Sequence, residues 1–380
     1  MGTCDGRRDR KAGDVIPNDV AAGPGGSGDP LLDVTRLTPS AAVTAAQAAG
    51  AVRASFRLSG GLELDRLPGE TDDNFLLRAS GEKRYVVKFA HLRADPRVIS
   101  LQVRVLKHIE SVAGQLPVPR VVPAADGQPW TVVADGPLRG RVVHVITYLD
   151  GQLLRAVPTS AGLRYRLGVT LAELGRALRG FDDDDPVLRR PLLWDLSQLA
   201  QLRPLIAERP KTAQTSRLDE QLSRLVAEVA PRLAAQRTQL VHNDFSPDNV
   251  LADARSVRGI IDFGDVTVTA LVNDVAIAAA YQLSPEPDLL GPALDLISGY
   301  HATTPLTTAE LDLLPDLIGA RILARIVISE WRAARFGENR AYILRNTPRA
   351  WDHLGRLQAI RTDEITERIH RACEPEGRHA

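Results

Sequence analysis

His242, Asp244 and Asn249 form an H-x-D-x-x-x-x-N word, and a second word, Asp262-Phe263-Gly264, begins 18 residues after Asp244. Two short apolar runs, 249–252 and 257–261, lie between them, joined by the polar turn Asp253-Ala254-Arg255-Ser256. Run, turn and run predict a β-hairpin. A hairpin brings its ends together, so Asn249 and Asp262 fall side by side, with Asp244 just before them. An amide oxygen and a carboxylate at one point suit a hard cation such as Mg²⁺, which takes oxygen ligands. Asp244, set to accept or orient a hydroxyl proton, completes the parts of a phosphoryl-transfer site. His242, at the foot of the loop, is expected to brace backbone. Asp265 is a further acid beside the site, with a surface or capping carboxylate as the alternative. Asp274 is expected to cap the next helix.

Such a site also needs a cation for the phosphates. Of 47 basic residues only five are lysine: Lys11, Lys83, Lys88, Lys107 and Lys211. Lys88 lies in the run Tyr85-Val86-Val87-Lys88-Phe89, where alternation puts it on one face of a strand. Alone it reads as a solvent-facing lysine. With the two downstream words it reads as a grip on α- and β-phosphates. Strands are predicted at 61–67, 74–79, 85–90, 130–134 and 141–149, and a helix at 95–113. That helix offers Gln102 where a carboxylate partner for Lys88 is expected; an amide accepts a hydrogen bond but brings no charge. The link Pro68-Gly69-Glu70-Thr71-Asp72-Asp73-Asn74 is either a phosphate cradle of backbone N–H groups or a plain hairpin turn.

After Gly151 the pattern turns helical, at 163–178, 194–208, 217–236 and most of 273–373. The expected fold is α+β and two-lobed: a small β-rich N-terminal lobe over 38–150 and a larger α-rich lobe over 151–373. Residues 1–37 lack periodicity and read as a disordered tail or an over-extended start. An Ala-rich helix is expected at 39–50. The run Asp182 to Asp185 reads as a solvated turn that stops a helix. The 380 residues are 44% apolar and 25% charged with net charge +0, which offers no basic field for nucleic acid. Two distant cysteines, Cys4 and Cys373, fit a reducing cytoplasm. No apolar run nears the ~20 residues that span a bilayer.

These words resemble the aminoglycoside phosphotransferase and choline kinase superfamily, whose fold is protein-kinase-like. They are most similar to the branch of hydroxylysine kinases and of kinase modules fused to class III aminotransferases. The branch likeness rests on TDDNFLL (71–77), YVVKF (85–89), VITYLDG (145–151), LLWDL (192–196), HNDFSPDNVL (242–251), GIIDFGDVTVTALVNDVAIAAAY (259–281), TTPLT (303–307) and WDHL (351–354). It runs from about Leu62 to Arg361.

The resemblance implies transfer of a γ-phosphate from ATP or GTP, with Mg²⁺, to a hydroxyl of a small amine or amino acid. It implies Lys88 on the phosphates, Asp244 as base, Asn249 and Asp262 on the metal, and Thr147 and Leu149 in the strap that reads the purine. A zwitterionic acceptor needs a cation and an acid, for which Asp265, Arg321, Arg325 and Glu330 are the candidates. Surface charges on late helices are the alternative for these. An antibiotic phosphotransferase, and a nucleotide-binding module without turnover, are the other readings.

Overall fold

The computed structural model describes residues 42–58, 61–69, 72–80, 83–335 and 340–374. The expected tail, the start of the Ala-rich helix, and Glu70 and Thr71 lie outside the described residues. Helix α1 (Ala45–Ser55) begins later than expected, because Thr44 and Gln47 form a capping box at its start. Strands β1 (Glu63–Leu67), β2 (Asp73–Arg78) and β3 (Arg84–Phe89) follow, then helix α2 (Pro96–Val112). Strands β4 (Val121–Val122), β5 (Thr131–Val132) and β6 (Val142–Thr147) complete a six-stranded antiparallel sheet of order β1-β2-β3-β6-β4, with β5 also on the outer edge of β6.

Strand alternation gives this sheet two different faces. Phe75, Leu77, Val87, Phe89, Val143 and Val145 are buried with Val52 of α1 in one apolar cluster. The other face carries Val86, Lys88, His144 and Ile146, and register pairs Val86 with Ile146 and Lys88 with His144. The buried ion pair Arg141–Asp73, at 2.8 Å, ties β2 to the start of β6, and Arg141 Nε also donates to the Ala90 carbonyl. Gly69 permits the turn before β2, since a Cβ there would sit 2.5 Å from the Asp72 carbonyl oxygen.

Strand β7 (Gln152–Leu153) leads into α3 (Ala161–Arg179). Short 3-10 turns at Pro186–Arg189 and Leu196–Leu202 precede α4 (Arg203–Ala207), α5 (Ala213–Arg224) and α6 (Ala230–Ala234). Four strands follow: β8 (Thr238–Val241), β9 (Val250–Ala252), β10 (Val257–Ile260) and β11 (Thr267–Ala270). The remainder is helical: α7 (Val272–Tyr281), α8 (Gly291–Thr303), α9 (Thr308–Leu311), α10 (Leu314–Arg335), α11 (Arg340–Leu344), α12 (Thr347–Gln358) and α13 (Thr362–Ala372). This is the expected α+β architecture, with a sheet region first and a helical region after it. No helix of the described residues is long and apolar enough to cross a membrane.

Helix α2 sits between β3 and β4 in sequence, and while Ile99 clusters with Ala90 and Val142 of the sheet region, its remaining apolar face packs with the helices. Leu101, Val105 and Ile109 are buried in the same apolar cluster as Leu171 and Leu178 of α3. Arg104 of α2 also forms ion pairs with Asp183 at 2.7 Å and Asp185 at 3.1 Å. This corrects the reading of Asp182 to Asp185 as a solvated turn. Two of the four carboxylates are withdrawn from water because a cation on another helix meets them, and Asp185 also caps the 3-10 turn that follows.

Helices α3 and α8 touch backbone to backbone. A Cβ at Gly168 would lie 1.9 Å from the Leu296 carbonyl oxygen, and one at Gly299 would lie 2.0 Å from that of Tyr165. Neither obstacle is a side chain that can swing away, so the helices themselves must part. Gly168→Ala is therefore expected to destabilise the protein by about 1–3 kcal/mol or more, read as a lowered midpoint in urea unfolding; an unchanged midpoint would contradict the close approach.

Candidate active site

Two antiparallel ladders frame the stretch from 242 to 266. Strand β8 pairs with β11, Val241 opposite Thr267, and β9 pairs with β10, Val250 opposite Ile260. The turn of the inner hairpin is closed by Asp253, whose Oδ1 accepts from the Arg255 and Ser256 amides at 2.8 Å. At the open end the Ile261 amide donates to the Asn249 carbonyl at 2.9 Å, which brings Asp262 abreast of Asn249. The hairpin is the one expected from the apolar runs.

The loop between the ladders is held in a costly shape. Asn243 and Asp262 have φ of 64° and 62°, left-handed values that non-glycine residues adopt only where the surroundings enforce them. Asp274 supplies much of that enforcement: its carboxylate accepts from the His242 amide at 2.9 Å and the Asn243 amide at 2.6 Å. The expectation that Asp274 caps α7 is thus corrected. It lies inside the first turn of that helix, and its side chain points back to the loop, where two buried N–H groups need an acceptor. Burial raises its pKa, and the two amides and His242 work against that rise.

His242 is fully buried, and burial lowers its pKa and keeps the ring neutral. Its Nδ1 accepts from the Asp244 amide at 3.3 Å and its Nε2–H donates to the Ile261 carbonyl at 3.2 Å. It therefore joins the two halves of the site through backbone, in the bracing position expected of it.

Three groups gather on this frame. The Asp244 carboxylate accepts from Asn249 Nδ2 at 2.6 Å and from the Arg321 guanidinium at 2.9 Å. Asp262 is half-exposed, and Lys88 Nζ reaches it from the sheet at 3.7 Å. Burial alone would lower the Lys88 pKa, but the charges of Asp262 and Asp72 more than offset it, so the ammonium is held above its usual value. Lys88 reciprocally holds the Asp262 carboxyl below the ordinary range. Asp265 is the third acid. Burial and the nearby Asp244 and Asp262 push its pKa up to about 7, against the pull of Arg190 and Arg321. No hydrogen bond or ion pair engages its carboxyl among the described residues.

Gln102 makes no hydrogen bond to Lys88; its amide lies beside Gly264, 3.7 Å from where a Cβ would stand. The lysine's ion-pair partner is Asp262 itself. In the strap after β6, the Thr147 and Tyr148 amides are taken by the carbonyls of Arg120 and Arg84. The Leu149 amide has no partner among the described residues.

Among the acceptor candidates the geometry separates three from one. Arg321 is 2% exposed, lies between the rings of Trp194 and Tyr281, and donates to Asp244, the Tyr281 hydroxyl and the Trp194 carbonyl. Arg325 lies over Tyr281 one turn further along α10. Asp265 sits beside both Asp244 and Arg321. Glu330 is not brought to them. It is nine residues beyond Arg321, about 13 Å along the helix, where Arg209 and the Trp351 indole N–H hold its carboxylate.

Several residues escaped the sequence reading. His144 is 3% exposed with Nδ1 unpartnered, and burial together with Lys88's charge lowers its pKa to about 3. Arg190 donates to the Gly264 carbonyl at 2.6 Å and the Val266 carbonyl at 2.8 Å, clamping the turn after Asp262. Asp195 accepts from Ser197, Gln198, Thr269 and Asn273, fixing Trp194 against Arg321. The words holding Trp194 and Tyr281 were visible as words, but their partner on α10 was not.

A divalent cation fits the donor set. Asn249 commits its Nδ2 hydrogens to the Asp244 carbonyl and carboxylate, which leaves Oδ1 as an uncommitted hard oxygen. Asp262 adds a half-exposed carboxylate beside it. No group of three His, Cys, Asp or Glu among the described residues could hold a metal unaided. A Mg²⁺ here would complete its shell with water and phosphate oxygens, as that ion commonly does.

Asp274→Ala leaves two buried amides without an acceptor, at about 1–3 kcal/mol each, and releases the left-handed turn at Asn243. The expected outcome is a lower unfolding midpoint together with a fall in kcat larger than any rise in nucleotide KM. Full activity in that variant would remove Asp274 from its role as loop anchor.

The chain matches the phosphotransferase enzyme family over residues 63–314. It is 23% identical to a hydroxylysine kinase of Mus musculus over 339 residues, covering 83% of this chain and 89% of the relative. A hydroxylysine kinase of Danio rerio is 25% identical over 321 residues, 81% of this chain and 90% of that protein. A homoserine kinase of Azorhizobium caulinodans is 27% identical over 260 residues, 66% and 74% of the two chains. Among solved structures, an amicoumacin kinase in complex with AMP-PNP, Ca²⁺ and Ami superposes with a TM-score of 0.62 at 16% identity, over 85% of this chain and 93% of that one. A microcompartment-associated aminopropanol kinase does so with 0.55 at 18% identity, over 86% and 95%. The match over most of the chain, on a kinase-like fold, makes this protein a member of the phosphotransferase enzyme family, a small-molecule kinase that phosphorylates a hydroxyl group.

Proposed function

We propose that this kinase transfers the γ-phosphate of ATP or GTP to a hydroxyl of an amino-bearing metabolite of the hydroxylysine type, in the cytoplasm. The observation that carries the reading is the convergence of Lys88, Asp262, Asn249 and Asp244, from the sheet and both ends of one hairpin. The likeness to kinases named for hydroxylysine, over 83% of this chain and 89% of the mouse relative, supports the acceptor class.

In this reading Lys88 holds the α- and β-phosphates, and its bond to Asp262 keeps it extended into the cleft. Val86 and Ile146 flank the purine from the sheet, and the strap at Thr147 and Leu149 reads it through backbone. The Leu149 amide, without a partner among the described residues, suits an acceptor atom of either purine, which keeps both ATP and GTP as donors. Asn249 and Asp262 hold Mg²⁺, which when bound neutralises charge on the phosphates. Asp244, its two oxygens fixed by Asn249 and Arg321, aligns the attacking hydroxyl and receives its proton. Such fixed alignment is the main contribution a protein makes to phosphoryl transfer. Asp265, whose carboxyl makes no hydrogen bond or ion pair among the described residues, receives the acceptor's ammonium group. A polycationic antibiotic is less well matched, because Arg321 and Arg325 line the acceptor side of Asp244.

Asp244→Ala is expected to lower kcat by roughly 10²–10⁴-fold, with its melting temperature little changed. Asp262→Ala should lose turnover and the Mg²⁺-dependent part of the nucleotide-induced thermal shift. Wild-type turnover in either would sink the assignment. For Asp265, calorimetry of acceptor binding without nucleotide or metal gives the sign. The carboxyl is ionised above about pH 7, so binding should weaken as pH falls through that value. Asp265→Asn should bind weakly at every pH, and a variant that keeps the wild-type pH dependence would remove Asp265 from this role.

A further inference from the structure

Helix α10 presents two arginines to the same side, Arg321 and Arg325, one turn apart and so about 6 Å from each other. They differ in what they already hold. Arg321 donates through Nη1 and Nη2 to Asp244, Tyr281 and Trp194, and its Nε is buried out of reach of solvent. Arg325 makes no hydrogen bond or ion pair among the described residues. Its guanidinium lies over the Tyr281 ring, 4.6 Å from the centroid, a contact that steadies it without satisfying its N–H donors. The residue is half-buried.

The surroundings of Arg325 are cationic. Arg321 lies to one side and Arg349 of α12 to the other, and both act to lower its pKa on top of burial. His353 of α12 is 4% exposed with Nε2 unpartnered. Asp244 also acts on Arg325, but it is already held by Arg321 and Asn249. A rigid, half-buried guanidinium fork lacking an acceptor is a preformed receptor for a carboxylate, which it can take through two parallel N–H···O bonds.

Resting on the kinase reading above, we propose that Arg325, steadied by Tyr281, binds the carboxylate of the acceptor. The acceptor is then an amino acid with a side-chain hydroxyl: its carboxylate lies on Arg325, its hydroxyl on Asp244 and an ammonium on Asp265. Arg321, whose Nη1 and Nη2 are engaged by Trp194, Asp244 and Tyr281 and whose Nε is sealed from solvent, acts as the wall between the carboxylate and the reacting oxygen.

The test compares acceptors that differ only in the carboxyl group, on the full chain with Mg²⁺ and either nucleotide. Hydroxylysine is set against the amino alcohol left by its decarboxylation, and homoserine against aminopropanol. In the wild type, kcat/KM should favour the carboxylate-bearing member of at least one pair by roughly 30-fold or more, the scale for losing one partner of a desolvated charge pair. Arg325→Met keeps the stem packed on Tyr281 and should abolish that preference, chiefly by raising the KM of the amino acid. Arg325→Lys should restore part of it. Equal wild-type turnover of both members would overturn the carboxylate site while leaving the kinase reading intact. Equal losses on both members in Arg325→Met would overturn it as well, marking Arg325 as packing. Turnover confined to acceptors outside both pairs, such as an aminoglycoside, would likewise overturn it. No turnover on any acceptor, with no thermal shift by nucleotide, would remove the kinase reading and this site together. The wild-type comparison stands even if a variant does not fold.

Discussion

A guanidinium almost wholly removed from water, that of Arg321, sets the terms for the helical half of this protein. Burying a charge is tolerable only when opposite charge and hydrogen-bond acceptors surround it. Here the surroundings come from four distant segments: Trp194 before a 3-10 turn, Asp244 in the loop after β8, Tyr281 at the end of α7, and α10 itself. Each must arrive for the charge to be housed, so Arg321 couples the folding of the helices to the position of one carboxylate. The aromatic rings on either side add cation–π attraction and keep water out.

A second constraint acts on backbone. Two residues in left-handed geometry, Asn243 and Asp262, each cost about 1–3 kcal/mol, and they bracket the hairpin that aligns Asn249 with Asp262. Asp274, His242 and Arg190 meet that cost from three directions: a carboxylate to two amides, a ring between an amide and a carbonyl, and a guanidinium to two carbonyls. None of these side chains needs to touch a substrate. Their work is to make the loop adopt one shape, which is what a reaction that depends on alignment requires.

How much of this can be read from the chain alone follows from how local each feature is. The hairpin between Asn249 and Asp262 was legible because its runs, its turn and its ends are contiguous. The strand face of Lys88 was legible because alternation is a period of two. His144 was not, because its position opposite Lys88 depends on strand register between segments far apart in the chain. Asp274 was misassigned because a carboxylate in the first turn of a helix usually serves that helix, and here two stranded amides of another segment outcompeted it. Glu330 and Arg325 looked alike as charges on one late helix; only packing reveals that one is held by Arg209 and Trp351 and the other faces Tyr281. Sequence words such as LLWDL and AAAY identified residues that matter without saying to what they bind.

The two ion pairs from Arg104 to Asp183 and Asp185 bear on which half of the molecule α2 belongs to. They anchor α2 to the exit of α3, and the buried face of α2 reinforces that anchorage. By its packing, α2 therefore counts with the helical half, although strands of the sheet flank it on both sides in sequence. Lys88 of β3 reaches Asp262 from the sheet side of that seam. Gln102 of α2 lies beside Gly264 on the other side, so the helix that flanks the lysine's partner is built on the same framework as the partner itself.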